Sequence, residues 1–351
     1  VLSSAIQASN EELIQAKKLN CKIIKRGELL AEIIHSYQQI ISVVGTHGKT
    51  TTSSLLVEIF SQLMNPSYFV GGHFDNKPHA NANNSEWFIT ELDESDGSFL
   101  NVMSNNTIIT NIEHDHIDFY KSKNQLIDAF STCIKNTIKN DGCCALNLDD
   151  PISEKLYKTF DKRDQFITYG IESKSAQIRA ESIQYDWQGC SFSLVINDNK
   201  VDKVILSLFG KHNVYNALSA IAISIRNRIP LKYILMGLKK FSGVKRRLEL
   251  KYMANGIMLY DDYAHHPTEV ISTLEGLYKS FTKHRIITIF QPHRYSRLTN
   301  LFKAFSISFN RSSKTCLVPV FSAGEVFDNQ KSSLDLNSFI LKCGCSLITI
   351  F

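Results

Sequence analysis

The chain has 351 residues, 43% hydrophobic and 21% charged, with 16 Gly and 7 Pro. This composition excludes a collagen-like or Gly/Pro-rich disordered chain and supplies a core that needs no disulfide or metal staple. The net charge of +5 is a mild excess. Its basic clusters, Lys245-Arg246-Arg247 and Arg294 with Arg297, fit a phosphate or carboxylate pocket better than a nucleic-acid face, so no nucleic-acid partner is expected.

The eight cysteines form no paired C-x-x-C motif, which argues against structural zinc. With no signal peptide at the start they are expected as reduced thiols of a cytoplasmic protein. No apolar run reaches the roughly 20 residues that cross a bilayer, so no membrane insertion is expected. The start at Val1-Leu2-Ser3-Ser4 and the apolar end from Ser346 to Phe351 both suggest cuts through a longer protein.

Residues 1–38 show a strand end, a helix over Asn10 to Leu19, a short strand and a second helix. Ile40 to Val44 is an apolar run of strand length. After a glycine-containing loop, Thr51 to Leu63 has helical spacing, with Leu55, Leu56, Ile59 and Leu63 on one side. Trp87 to Thr90 and Thr107 to Thr110 predict strands, Lys123 to Lys139 a helix, and Cys143 to Asn147 a strand. This alternation predicts a parallel sheet with helices on both faces. From about Phe166 to Leu208 apolar and polar residues alternate, which predicts hairpin strands packed on the side of that sheet. Asn213 to Ile225 predicts a helix, and Ser242-Gly243-Val244 is the best boundary. Beyond it, strands at Leu248 to Tyr252, Ile257 to Tyr260, Ile286 to Phe290 and Cys316 to Val320 are interleaved with helices from Pro267 and over Leu298 to Phe309, a second α/β unit.

Chemistry concentrates at the strand ends. Gly45-Thr46-His47-Gly48-Lys49-Thr50-Thr51 joins a strand to a helix N-terminus, where backbone N–H groups and the helix dipole favour an anion. Lys49 adds a point charge for β- or γ-phosphates, and the Thr50 hydroxyl suits Mg2+. Val43 stands where the strict P-loop spacing requires Gly, leaving the shorter G-x-x-G-K-T form. Glu91, at the next strand end, is placed to share Mg2+ with Thr50. Asp93, Glu94 and Asp96 serve equally well as the acidic first turn of a helix. The run Thr110 to His116 brings His and carboxylate together, a combination suited to a second metal. Asp261-Asp262-Tyr263-Ala264-His265-His266-Pro267 offers a carboxylate for a ribose and His for phosphate, and Pro267 suits the first position of a helix. Gln291 to Arg297 carries two Arg one helical turn apart, a spacing suited to a carboxylate.

In order along the chain stand VVGTHGKTTT at 43–52, ELDESDGSF at 91–99, TNIEHDHIDFY at 110–120, GKHNVYNALSA at 210–220, GVKRRLE at 243–249, YDDYAHHPTEV at 260–270, FQPHRYSR at 290–297 and SAGE at 322–325. Together they resemble the Mur ligases, in particular the branch that joins L-alanine to UDP-N-acetylmuramic acid. The resemblance implies an α/β fold with a central P-loop ATPase domain and parallel sheet at 39–242. It further implies an incomplete C-terminal Rossmann-like domain at 243–351 and, at 1–38, the remnant of an N-terminal Rossmann-like domain for the UDP moiety. It implies ATP and Mg2+ as cofactors and an acyl phosphate intermediate. The setting it implies is peptidoglycan synthesis in the bacterial cytoplasm, by a monomer or weak homodimer.

By position in these motifs, Gly45, Thr46, His47, Gly48, Lys49, Thr50, Thr51, Asn213, Asn216, Arg247 and Asp262 would bind ATP. Thr50 and Glu91 would hold one Mg2+ and His116 the second. Tyr263, His265, His293, Arg294 and Arg297 would hold the substrates, with Lys49, Glu91, His116, Arg247 and His265 as the catalytic set. The family's N-terminal Gly-rich uridine-nucleotide loop is absent, the match after Glu325 is loose, and Phe209, Lys211 and Leu248 replace the usual Pro, Arg and Phe. Three other readings stand beside this one: a ligase that recycles a whole tripeptide, which shares the D-x-A-H-H-P segment but not P-H-R-Y-S-R; an inactive nucleotide-binding fragment; and a generic P-loop ATPase.

Overall fold

The computed structural model describes residues 1–3, 6–113, 119–325 and 346–347. The chain divides into two compact units, the first made of Val1–Ser182, Phe192–Ile205 and Asn213–Val244, the second of Ile183–Ser191, Leu206–His212 and Lys245–Phe351.

Local sequence sets the opening helices. Asn10 caps α1 (Glu11–Lys18) by accepting the Leu13 N–H at 3.1 Å. Glu11 and Glu12 at its start and Lys17 and Lys18 at its end complement the helix dipole. In α2 (Arg26–Ile34) the Glu28 carboxylate accepts the Lys25 N–H at 3.0 Å, and Ala31 and Ile34 are buried. There follow β1 (Gln39–Val44), α3 (Lys49–Phe60), β2 (Ser67–Phe69), β3 (Ala80–Asn81), β4 (Trp87–Glu91), β5 (Asn106–Ile109), α4 (Lys123–Lys139), β6 (Cys143–Asn147), α5 (Pro151–Thr159), β7 (Phe166–Gly170), β8 (Ile178–Asp186), β9 (Gly189–Ile196), β10 (Asn199–Leu206), α6 (Lys211–Arg226) and α7 (Leu231–Lys240).

These strands form one sheet in the order β10-β9-β8-β7-β6-β5-β1-β4-β2-β3. From β2 through β8 the neighbours pair in parallel. β1, β5, β6 and β7 are buried almost throughout, as expected for strands covered on both faces. Ala31 and Ile34 of α2 and Leu126, Phe130 and Ile134 of α4 pack in one core cluster with Ile40, Phe88, Ile109 and Leu146 of the sheet.

Three expectations are corrected here. Leu63 lies beyond α3 and is exposed, while every residue of Thr51–Phe60 is buried. The cause is α7, which lies against α3 so closely that a Cβ on Gly237 would stand 2.5 Å from the Ile59 Cα. Fully buried Glu58 on α3 is ion-paired with Lys77 and, at 2.7 Å, with Lys240 of α7. The alternating strands do not form a layer beside the sheet but extend it, because β8 pairs with the end of β7 (Tyr169 with Ile178, Gly170 with Arg179) and β9 and β10 follow.

In the second unit, β11 (Glu249–Ala254) and β12 (Ile257–Asp261) form an antiparallel ribbon. Asn255 and Gly256 join them, both with positive φ, as a two-residue hairpin turn demands. Next come α8 (Pro267–Ser280), β13 (Ile287–Phe290), α9 (Tyr295–Asn300), α10 (Phe302–Phe305), β14 (Lys314–Leu317) and β15 (Ser346–Leu347), with β13, β14 and β15 parallel. Pro267 opens α8, and Glu269 accepts the His266 N–H at 3.2 Å. The third correction concerns the helix expected over Leu298 to Phe309. It is split into α9 and α10 at Leu301, whose φ of −110° leaves the helical region, and Leu298, Phe305 and Phe309 still reach the core with Val270, Leu274, Phe290 and Leu317. Among the described residues no helix is long and apolar enough to cross a membrane.

Candidate active site

β1, β4 and β5 run side by side and end together, so the segments that follow them share one edge of the sheet, where open parallel sheets take their ligands. After β1 the chain turns through Gly45-Thr46-His47-Gly48 into α3, whose opening N–H groups have no intrahelical acceptors. Gly45 has φ +127°, and a Cβ there would stand 2.9 Å from the Asn111 carbonyl oxygen. Gly48 has φ +84° and lies against the Asn216 side-chain amide. Both positions require Gly.

The segment after β5 clamps this loop. The Asn111 carbonyl accepts the Thr46 N–H at 3.0 Å, and its side chain both accepts the His47 N–H (2.9 Å) and donates to the His47 carbonyl (3.0 Å). Thr110 Oγ1 donates to the same carbonyl at 2.7 Å, and Thr46 Oγ1 accepts the Glu113 N–H at 2.9 Å. The His47 Nε2 lies 3.6 Å from the Glu113 carboxylate. Thr51 is buried in the first turn of α3. On α6, Asn216 donates to the Asn213 side chain at 3.0 Å, so both asparagines stand together beside Gly48.

Lys49 Nζ donates to the Gly45 carbonyl (2.6 Å), to the Thr46 carbonyl (3.3 Å) and to Glu94 Oε2 (2.7 Å). Burial works to lower its pKa, but Glu94, with Asp93 and Glu91 behind it, outweighs burial and raises it, so the side chain is a permanent cation. A Cβ on Gly71 would stand 2.9 Å from Thr50 Oγ1 and collide with Glu91 Oε1, so this hydroxyl and carboxylate converge over a cradle that only Gly leaves open. Two hard oxygen donors beside a phosphate loop fit Mg2+. His116, the other expected metal ligand, lies outside the described residues.

Sequence reasoning missed Glu94, Thr110 and Asn111 as parts of this site. Glu94 read equally well as a helix-start acid. Thr110 and Asn111 lay within a quoted motif whose His and carboxylates drew the attention, although Asn, with both donor and acceptor, is the residue suited to gripping a peptide unit.

The second unit gathers its own expected residues. Arg247 lies over the Tyr263 ring (5.3 Å to its centroid) and 3.6 Å from Glu269. His265 is 5.0 Å from Tyr263 and 6.0 Å from His293, ring to ring. Arg297 contacts His293 Nδ1 at 3.2 Å. Asp262 accepts the N–H groups of Leu248 (3.0 Å) and Ala264 (2.6 Å), and burial raises its pKa. The structure thus uses its carboxylate to hold the surrounding loops. Arg294 caps α9 at φ 69°, with an exposed side chain, and its N–H binds the Phe321 carbonyl at 2.8 Å.

A strand, a glycine turn, a charged lysine at the helix start and a hydroxyl–carboxylate pair define an α/β protein that binds nucleotide phosphates. Comparison with known proteins resolves the class further. Residues 43–224 match the Mur ligase middle domain, and 246–322 match the Mur ligase glutamate ligase domain. The chain belongs to the Mur ligase family. It is 40% identical over 332 residues to a UDP-N-acetylmuramate–L-alanine ligase of Pelagibacter ubique, covering 93% of this chain and 71% of that relative. A ligase of the same name from Endomicrobium trichonymphae is 37% identical over 97% of this chain and 75% of its own. In fold, the chain superposes on a UDP-N-acetylmuramate-alanine ligase of Thermotoga maritima with a TM-score of 0.83 at 24% identity, over 99% of this chain and 76% of that one. A murein peptide ligase of Psychrobacter arcticus gives 0.67 at 22% identity, over the same shares of both chains.

Proposed function

We propose that this chain joins L-alanine to the carboxylate of UDP-N-acetylmuramic acid at the expense of ATP, a cytoplasmic step of peptidoglycan precursor synthesis. The observation that carries the reading is the arrangement of Lys49, Thr50 and Glu91 around the glycine turn, in a chain 35–40% identical over at least 93% of its length to relatives bearing that ligase name.

An amine does not displace hydroxide from a carboxylate, so the carboxylate is activated first. A muramoyl carboxylate oxygen attacks the γ-phosphorus, the bond to the ADP oxygen breaks, and an acyl phosphate forms. The alanine amine then attacks the acyl carbon and loses a proton, and phosphate departs with the bonding pair. Catalysis is positioning and charge neutralisation. The turn from Gly45 to Thr51, with Lys49, holds the phosphates, and Asn213 and Asn216 approach the nucleotide. Thr50 and Glu91, with His116 at a second position, would hold Mg2+, which would supply further neutralisation of phosphate charge.

In the second unit, Arg247 and Asp262 are assigned to ATP. Tyr263 and His265 are assigned to the reacting groups, and His293, Arg294 and Arg297 to alanine and its carboxylate. Residues 39–242 would carry the phosphate loop, and 243–351 the amino-acid end together with Arg247 and Asp262 for ATP.

The test is phosphate release with Mg-ATP and UDP-N-acetylmuramic acid, with and without L-alanine. Release that needs both substrates is expected. Release with ATP alone would overturn the ligase reading, and release with tripeptide but not alanine would move it to the recycling branch.

A further inference from the structure

We propose that Glu94 is a positioning residue that competes with nucleotide phosphates for Lys49 and recaptures the ammonium as product leaves. The inference rests on the reading above, in which Lys49 binds phosphate.

An ammonium has three N–H donors. Those of Lys49 face three acceptors: the Gly45 carbonyl at 2.6 Å, Glu94 Oε2 at 2.7 Å and the Thr46 carbonyl at 3.3 Å. The Thr46 contact is the longest and gives way first to an entering phosphate oxygen. Glu94 is the acceptor that resists. Its side chain is 1% exposed, and a buried carboxylate that loses its cation costs several kcal/mol. Its backbone is pinned as well, because its carbonyl accepts the Tyr120 hydroxyl at 2.8 Å and the Gly97 N–H at 3.1 Å, and Tyr120 is itself buried. The carboxylate therefore stays where it is whether nucleotide is present or not. An anion fixed 2.7 Å from the lysine that holds the phosphates weakens their grip and offers Lys49 a ready partner when ADP departs.

Glu94→Gln keeps the shape and removes the charge. ADP affinity by calorimetry, and kcat and KM for ATP, would be compared with the unmodified chain. Expected are ADP binding about tenfold tighter, a lower KM for ATP and a lower kcat, as release slows and the lysine loses its fixed aim. Structural damage moves affinity the other way, so a gain in affinity separates the two causes. Equal or weaker ADP binding by Glu94→Gln overturns the proposal. Absence of ADP binding by the unmodified chain overturns instead the phosphate reading beneath it. If Glu94→Gln does not fold, Glu94→Asp draws the carboxylate back from Lys49 and is expected to give a smaller gain in ADP affinity. No gain there also overturns the proposal.

Discussion

Burial favours the neutral form of two imidazoles of the second unit, those of His265 and His293. Desolvation lowers the His265 pKa most, Glu269 and the Tyr263 carbonyl oppose it, and Arg297 and Arg247 add to it; the net shift is downward from 6.5. His293 moves the same way, by desolvation and then by Arg297, His265 and Arg294. Both shifts favour the neutral ring, and in the proposed reaction a neutral His265 would take the proton that the alanine amine sheds. The expected outcome is a kcat/KM whose acid limb has its midpoint below 6.5, with that limb flattened in His265→Asn. A midpoint at or above 6.5 in the unmodified chain would refute the assignment. The same groups couple stability to pH. Each takes up a proton on unfolding once the pH drops below 6.5, so their contribution is intact above that value and is lost as the pH falls through their folded pKa values. Lys49, Thr50 and Glu91 were legible in the sequence because strand, turn and helix start are contiguous and each residue type has one obvious use there. Glu94 was not, because its partner lies 45 positions away, and only the parallel pairing of β1 with β4 brings the two together.

Among the elements, α3 and α7 approach each other closely at Gly237. Gly237 has no need of unusual backbone torsions; it is small because the Ile59 Cα and N would lie 2.5 and 2.8 Å from any Cβ. Gly237→Val is expected to destabilise the first unit by about 1–3 kcal/mol through overpacking, seen as a lower urea midpoint with an unchanged m-value. No loss of stability would mean that the helices slide apart freely. The extents of α4 and β6 were readable to the residue, since a Ser cap and a clean apolar stripe define one and a turn-bounded apolar run the other. The burial of α3 on all sides was not readable, because Thr51, Thr52, Ser53 and Ser54 are polar residues of the kind that usually face solvent, yet all four are buried. The break at Leu301 has no Pro or Gly to announce it. The placement of β8 to β10 in the sheet depends on two residue pairs with β7, which period-two alternation cannot reveal.

At the scale of the molecule, the two units have separate cores, one around Phe130 and Ile109 and the other around Phe290 and Phe305. Scanning calorimetry is expected to resolve two transitions. Mg-ATP at about 100 times its Kd should stabilise the unit bearing the glycine turn by about 2.7 kcal/mol. A single transition unmoved by nucleotide would contradict both the division and the site. The long sheet has one more consequence. Among the described residues, ten strands in a row leave two open borders, each a template on which a neighbouring polypeptide could crystallise into a fibre. At one border β3 is two residues long, too short to recruit a strand. At the other, β10 presents exposed Asn199, Lys200, Asp202 and Lys203, so any chain docking there would have to strip water from three charges. Those few polar residues matter most wherever many copies of the chain stand shoulder to shoulder.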